Sequence, residues 1–148
     1  MKDNPRLTLR EGIEKFCKKN AALFSERDLS PEAEKFFLYH DTAHVVFGCG
    51  TSLFGEGIVK IFTIWGTTLG FWGHLAGYSE ANAFSLFRQY SVRHLARNIG
   101  RLILAGPRAI VRARRMTKPW PWSDHSQYLD MPLEDIRREF NIKVFRRK

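Results

Sequence analysis

The glycines on either side of Cys49, at positions 48 and 50, constrain this chain more than any other feature. They stop one helix and let the next fold back on it. The helix they end has a clear start at Ser30-Pro31, an N-cap hydroxyl followed by proline at the first helical position, where its missing N–H costs nothing. Within it runs Phe36-Phe37-Leu38-Tyr39-His40-Asp41-Thr42-Ala43-His44-Val45-Val46-Phe47, apolar apart from a small polar knot. His40 and His44 are one turn apart and project from one face, with Asp41 on its flank. Phe36, Phe37 and Phe47 surround that face. An imidazole pair in such surroundings needs hydrogen bonds or a metal to offset its burial.

Glu56 follows His44 by 12 residues. On one continuous helix it would be turned by about 120° and displaced by roughly 18 Å, too far to share an ion. A chain reversal at Gly48-Cys49-Gly50 removes that distance. The spacing therefore predicts a two-helix metal site of His40, Asp41, His44 and Glu56. Two nitrogens and two carboxylates suit zinc, and carboxylate-rich sites also take iron, manganese or magnesium. Other histidine motifs fit poorly. The zincin pattern needs Glu directly after its first His, His-Asp phosphohydrolases use a histidine upstream of the pair, and membrane desaturases need several more clusters. Only His74, His94 and His125 remain, each isolated, and they read as structural or surface residues.

The rest of the chain reads as helix, with no sustained strand alternation and no repeat. Thr8 and Glu11 form a capping-box pair opening a first helix to about Lys19. A third helix begins after Thr51 or Ser52 and enters an apolar stretch from Ile58 to Tyr78. Gly66, Gly70, Gly73 and Gly77 recur there at helical spacing. On one helix they form a stripe, read either as close packing against a neighbour or as the wall of a groove for a long acyl or prenyl tail. With Thr63, Thr67, Thr68, His74 and those glycines, the stretch is a poor membrane span. Gly106-Pro107 is expected to break or kink the following element. A Trp120-Pro121-Trp122 loop follows, and a last helix from about Asp130 and Pro132 buries Leu133, Ile136 and Phe140. The 148 residues favour a single all-α domain over 1–148, compact, with an apolar lipid-accommodating groove. Cys17 and Cys49 are too few for a disulfide framework or a Cys-rich zinc site.

The formal charge of +9 is local. Nine basic residues lie between Leu86 and Lys118, beginning with Arg88, and no acidic residue occurs from Ala81 to Ser123; elsewhere basic and acidic residues balance at 15 each. Arg93, Arg97, Arg101, Arg108, Arg112 and Arg115 keep helical spacing. Such a run reads as a solvated face, as a surface for anionic headgroups (Arg93, Arg97 and Arg101 foremost), or as a nucleic-acid face. The apolar glycine-rich stretch favours lipid over nucleic acid, for which no motif is recognisable. The N-terminus, with Asp3, Glu11 and Glu14 and no apolar core, resembles neither a signal nor a transit peptide, so the expected location is cytoplasmic.

Written out, His40-Asp41-x-x-His44-x(11)-Glu56 resembles the signature of the coenzyme Q (ubiquinone) biosynthesis protein four family, the Coq-four proteins. Gly48, the Gly55-Glu56 pair and the ending Pro132-Leu133-Glu134-Asp135-Ile136-Arg137-Arg138-Glu139-Phe140-Asn141-Ile142 are similar as well. The likeness covers roughly residues 30–60 and the last helix, and this chain is a short example. It implies an all-helical protein holding a divalent ion, usually zinc, through the four motif residues. It also implies a channel for a polyprenyl tail, peripheral membrane attachment and a role in ubiquinone synthesis. There the expected ligand is a polyprenylated benzoate precursor or another isoprenoid lipid. The work is oxidative removal of its ring carboxylate, organisation of the biosynthetic enzymes, or both. The alternative is a non-catalytic isoprenoid-binding or scaffold protein. Expected protein partners are other enzymes of ubiquinone synthesis and further copies of the chain in a homo-oligomer.

Overall fold

The computed structural model describes residues 4, 6–21, 30–80 and 91–145, with the backbone alone described at 77–80 and 92. Asp3 and Arg88 lie outside the described residues. Among the described residues six α-helices follow in order: α1 (Leu9–Lys19), α2 (Pro31–Phe47), α3 (Leu53–Gly66), α4 (Gly70–Glu80), α5 (Val92–Arg114) and α6 (Leu133–Glu139). No strand occurs among the described residues, only two isolated bridges. The fold is all-α, as expected.

Helix starts follow local chemistry. Thr8 Oγ1 accepts from the Glu11 backbone N–H while the Glu11 carboxylate accepts from that of Thr8, the reciprocal pair expected at α1. Ser30 and Ser52 cap α2 and α3 with one half of that pattern, their hydroxyl oxygens accepting from the Ala33 and Gly55 backbone N–H groups. Gly48 ends α2 in the left-handed region (φ 66°), where a β-carbon would be strained and would also collide with Val144.

The core joins Leu9 and Phe16 of α1, Val45 to Phe47 of α2, Ile58, Val59 and Phe62 of α3, Ala109 and Ala113 of α5, and Trp120, Leu133, Ile136 and Phe140. Leu133, Ile136 and Phe140 are buried as their spacing predicts. α3 packs chiefly against α5, and α1 against α2. α6 fastens the end of α2 through one buried side chain: Arg137 donates to the Val46 carbonyl (2.9 Å) and the Val45 carbonyl (2.8 Å). It thus supplies a donor to the Val46 carbonyl and shares the Val45 carbonyl with the Gly48 N–H (3.3 Å), at a helix end whose last carbonyls lack intrahelical donors.

Two expectations need correction. The apolar stretch from Ile58 to Tyr78 is not one helix. Thr67 takes an extended conformation (φ −126°, ψ 168°) and α4 restarts at Gly70 with φ 68°. Long-range pairing makes the break: Trp120 N–H donates to the Gly66 carbonyl (2.8 Å) and Thr68 N–H to that of Trp120 (3.0 Å). The four glycines therefore form no continuous stripe. A β-carbon on Gly66 would press on Met116 at 2.9 Å, so close packing is its role, whereas Gly70 has open space. Among the described residues, no helix is long and apolar enough to cross a membrane. The second concerns only the break expected, as the alternative to a kink, at Gly106-Pro107: Pro107 lies inside α5 and does not end it. The residue is exposed, and so is Ile103, whose carbonyl loses its intrahelical donor and can take water instead.

Most of α5's arginines point outward, with apolar side chains between them. Arg93 and Arg97 are exposed, and so are Ile99, Ile103 (69%) and Leu104 (83%). Arg101 is half-buried, its guanidinium 4.8 Å from the centre of the Phe54 ring. On α3 and α4, Trp65, Phe71, Trp72 (78%) and Leu75 are exposed too.

Candidate metal centre

The chain reversal at Gly48-Cys49-Gly50 brings the first turn of α3 beside the last turns of α2. Glu56 Oε1 lies 3.1 Å from His44 Nε2, and Glu56 Oε2 lies 3.7 Å from His40 Nε2. The two imidazole rings meet edge to face, 4.7 Å between centres. His40 and His44 are buried and Glu56 is half-buried. A ligand atom from each of the three falls within 4.8 Å of the others. Two oxygens of one carboxylate thus face two imidazole nitrogens from the facing helix.

His44 carries the strongest indication of a cation. Its Nδ1 lies 3.2 Å from the Cys49 carbonyl, which can only accept, so Nδ1 carries the proton. Nε2 then holds a lone pair. That atom is buried, has no hydrogen bond, and confronts a carboxylate oxygen. Two acceptors at 3.1 Å repel unless a proton or a metal ion lies between them. Donors on a tetrahedral zinc sit about 3.3 Å apart, between the two spacings seen here. A His-His-Glu set with the remaining position open to a small molecule is also the donor pattern of catalytic zinc sites. These residues fit a divalent ion.

The surroundings hold the donors in place. Phe16 of α1 stacks on the His44 ring at 5.2 Å and 23°. Glu56 lies in the first turn of α3, where the helix dipole favours a carboxylate. Burial pushes the Glu56 carboxyl up, yet His44, His40 and Lys60 outweigh it and hold it below the ordinary range. Burial lowers His40 despite the opposing pull of Asp41 and Glu56, which keeps its imidazole neutral and able to coordinate. The Cys49 thiol is pushed up to about 12 by burial and by Glu56, so it offers no thiolate.

Asp41, expected as a fourth ligand, stands elsewhere. Its Oδ1 lies 3.8 Å from His40 Nδ1, on the opposite edge of the ring from Glu56, and it is not one of the three grouped donors. The next residue along a helix is turned by about 100°, which carries this carboxylate away from the facing helix. Behind His40 it can orient the ring and raise its basicity. Asp41→Asn is expected to lower affinity for zinc roughly 10- to 100-fold with the stoichiometry unchanged, read by competition with a chromophoric chelator. Loss of all binding would instead make Asp41 a direct ligand.

The remaining histidines divide. His125 is buried, its Nδ1 2.9 Å from the Trp122 carbonyl and its ring stacked on Trp120, a structural role. His94 is half-buried on α5 beside Arg97. His74, taken from sequence as structural or superficial, is buried with its ring centre 6.4 Å from that of Phe36. Burial first, and the Lys60 ammonium after it, push it down to about 4. Lys60 carried a readable signal, four residues after Glu56 on one helix face. His74 carried none, because only the packing of α4 brings it near. Comparison with protein-family models, curated proteins and solved structures finds no match for this chain.

Proposed function

We propose that this chain is a peripheral membrane metalloprotein of ubiquinone biosynthesis that handles a polyprenylated benzoate, as its resemblance to the Coq-four proteins implies. The observation that carries this reading is the convergence of His40, His44 and Glu56 around a buried imidazole nitrogen that calls for a cation. His40 and His44 supply the nitrogens, Glu56 the carboxylate, and Asp41 steadies His40 from behind. Zinc is the favoured ion for this donor set. When bound, it supplies Lewis acidity that stabilises negative charge on a ligand oxygen, which suits oxidative removal of the ring carboxylate. Exposed Ile103 and Leu104, flanked by the outward arginines of α5, suit the edge of an anionic membrane. There each basic side chain contributes about 1 kcal/mol.

Native mass spectrometry of the chain purified from a lipid-containing host tests both halves at once. The expected spectrum holds one divalent ion per chain together with a copurified prenyl lipid. A chain that emerges metal-free and lipid-free, and takes up neither on titration, would sink the reading.

A further inference from the structure

The outward face of α5 takes no part in the metal centre. Residues four apart form ridges along a helix, and two neighbouring ridges of α5 are exposed over their whole length. Ile99, Ile103, Pro107 and Val111 make the first, every member apolar. It runs for about 18 Å. The second carries Leu104, 83% exposed, with Arg108 one turn beyond it. The opposite face holds Asn98, Gly106, Ala109 and Ala113, all buried, and packs on α3.

Exposed arginines line one side of these ridges. At about 100° per residue, Arg93, Arg97 and Arg108 fall within roughly 60° of one another around the helix. The stretch that holds them, from Ala81 to Ser123, contains no acidic residue. Arg101, which spacing alone groups with them, is drawn inward, its guanidinium 4.8 Å from the centre of the Phe54 ring. Arg112 is held likewise and donates to the Val144 carbonyl (2.9 Å). The outward face of α5 thus divides into an apolar half and a cationic edge.

An occupant has to satisfy both halves. A second copy of this face would bring arginines against arginines. A nucleic acid would meet the charges and leave the isoleucines in water. An anionic bilayer offers phosphates to the arginines and acyl chains to the ridges. We propose that α5 lies flat on an anionic membrane, with Ile99, Ile103, Leu104 and Val111 toward the acyl chains and Arg93, Arg97 and Arg108 at the phosphates. The Ile103 carbonyl, which Pro107 deprives of its helical donor, sets the depth, because such a group stays within reach of water. The inference rests on the reading above for the membrane alone. It goes beyond that reading by fixing the helix face, its orientation and the lipid class.

Vesicle flotation of the full chain tests this. Wild type is expected on vesicles of roughly three-to-one phosphatidylcholine and phosphatidylglycerol, less as salt is raised, and not on pure phosphatidylcholine. Ile103→Ser combined with Leu104→Ser should weaken binding at least about tenfold, through lost acyl contact. Arg93→Gln, Arg97→Gln and Arg108→Gln together should weaken it roughly a hundredfold, about fivefold for each charge. Arg101→Gln should stay within about twofold of wild type, because that side chain faces Phe54. The five positions of the two multiple variants are exposed, so an unchanged Tm is expected and shows that those chains stay folded. The inference is overturned if wild type ignores the anionic vesicles, if neutral vesicles bind as well, or if a DNA duplex binds more tightly at the same salt. Vesicle binding that survives in both multiple variants, or an Arg101→Gln loss as large as the triple variant's, also overturns it and leaves peripheral attachment by another face standing. Zinc uptake, measured on the same samples, reports on the metal centre separately.

Discussion

Alanine at position 44 is expected to abolish stoichiometric zinc binding, with affinity falling by at least about a hundredfold. His44 is the residue to remove because its hydrogen bond to the Cys49 carbonyl fixes the tautomer and leaves Nε2 as a dedicated donor. Its ring is also held from above by Phe16, so the donor is placed before any ion arrives. A metal that binds the folded chain alone stabilises it by about 2.7 kcal/mol at a hundredfold excess over Kd. For a chain of this size that corresponds to roughly 5–10 °C in Tm. Wild type should show this increment on adding zinc, and His44→Ala should not. Alanine also leaves a cavity under Phe16, costing stability by itself, so the quantity to compare is the difference with and without zinc in each variant. His44→Phe, which fills the space without a donor, should lack the increment too. An equal zinc-induced rise in all three chains would remove His44 from the site.

What was legible in the sequence was what short-range chemistry controls. The Thr8–Glu11 pair, Ser30-Pro31 and Gly48 each act within one helical turn, and each sits where the spacing puts it. The His44–Glu56 approach was readable because a single left-handed glycine accounts for the reversal that produces it. Features set by distant residues were not readable. The interruption at Thr67 depends on Trp120, more than fifty residues away, whose backbone replaces the helical partners of Gly66 and Thr68. Helical spacing alone makes the arginines of α5 one face, yet Arg101 lies against Phe54, Arg112 against Phe145 and Arg114 against Trp65. Asp41 shows the limit within the site itself. Adjacency in sequence placed it near His40, but only the positions of α1 and α3 decide which edge of that ring it meets.

Gly55→Ala is expected to unfold at lower denaturant concentration, with a loss of about 2–4 kcal/mol, and to bind zinc at least about tenfold more weakly. Helix propensity alone predicts the opposite sign, since alanine in place of glycine within a helix gains up to about 1 kcal/mol. Packing reverses it. A β-carbon at position 55 would collide with the backbone carbonyl of Gly50, and backbone has no rotamer through which to yield. The first turn of α3 must then move away from the turn that ends α2, taking the neighbouring Glu56 with it. That displacement acts on the carboxylate's distances of 3.1 and 3.7 Å to His44 and His40. Two neighbouring glycines supply the contrast. Gly57→Ala meets only the flexible end of Leu102, which can shift, so stability falls less and zinc binding is retained. Gly50→Ala has open space around its β-carbon and should be nearly neutral. If Gly55→Ala instead matches Gly50→Ala in both stability and zinc affinity, the close approach of α3 to Gly50 is not what holds Glu56 against the histidines.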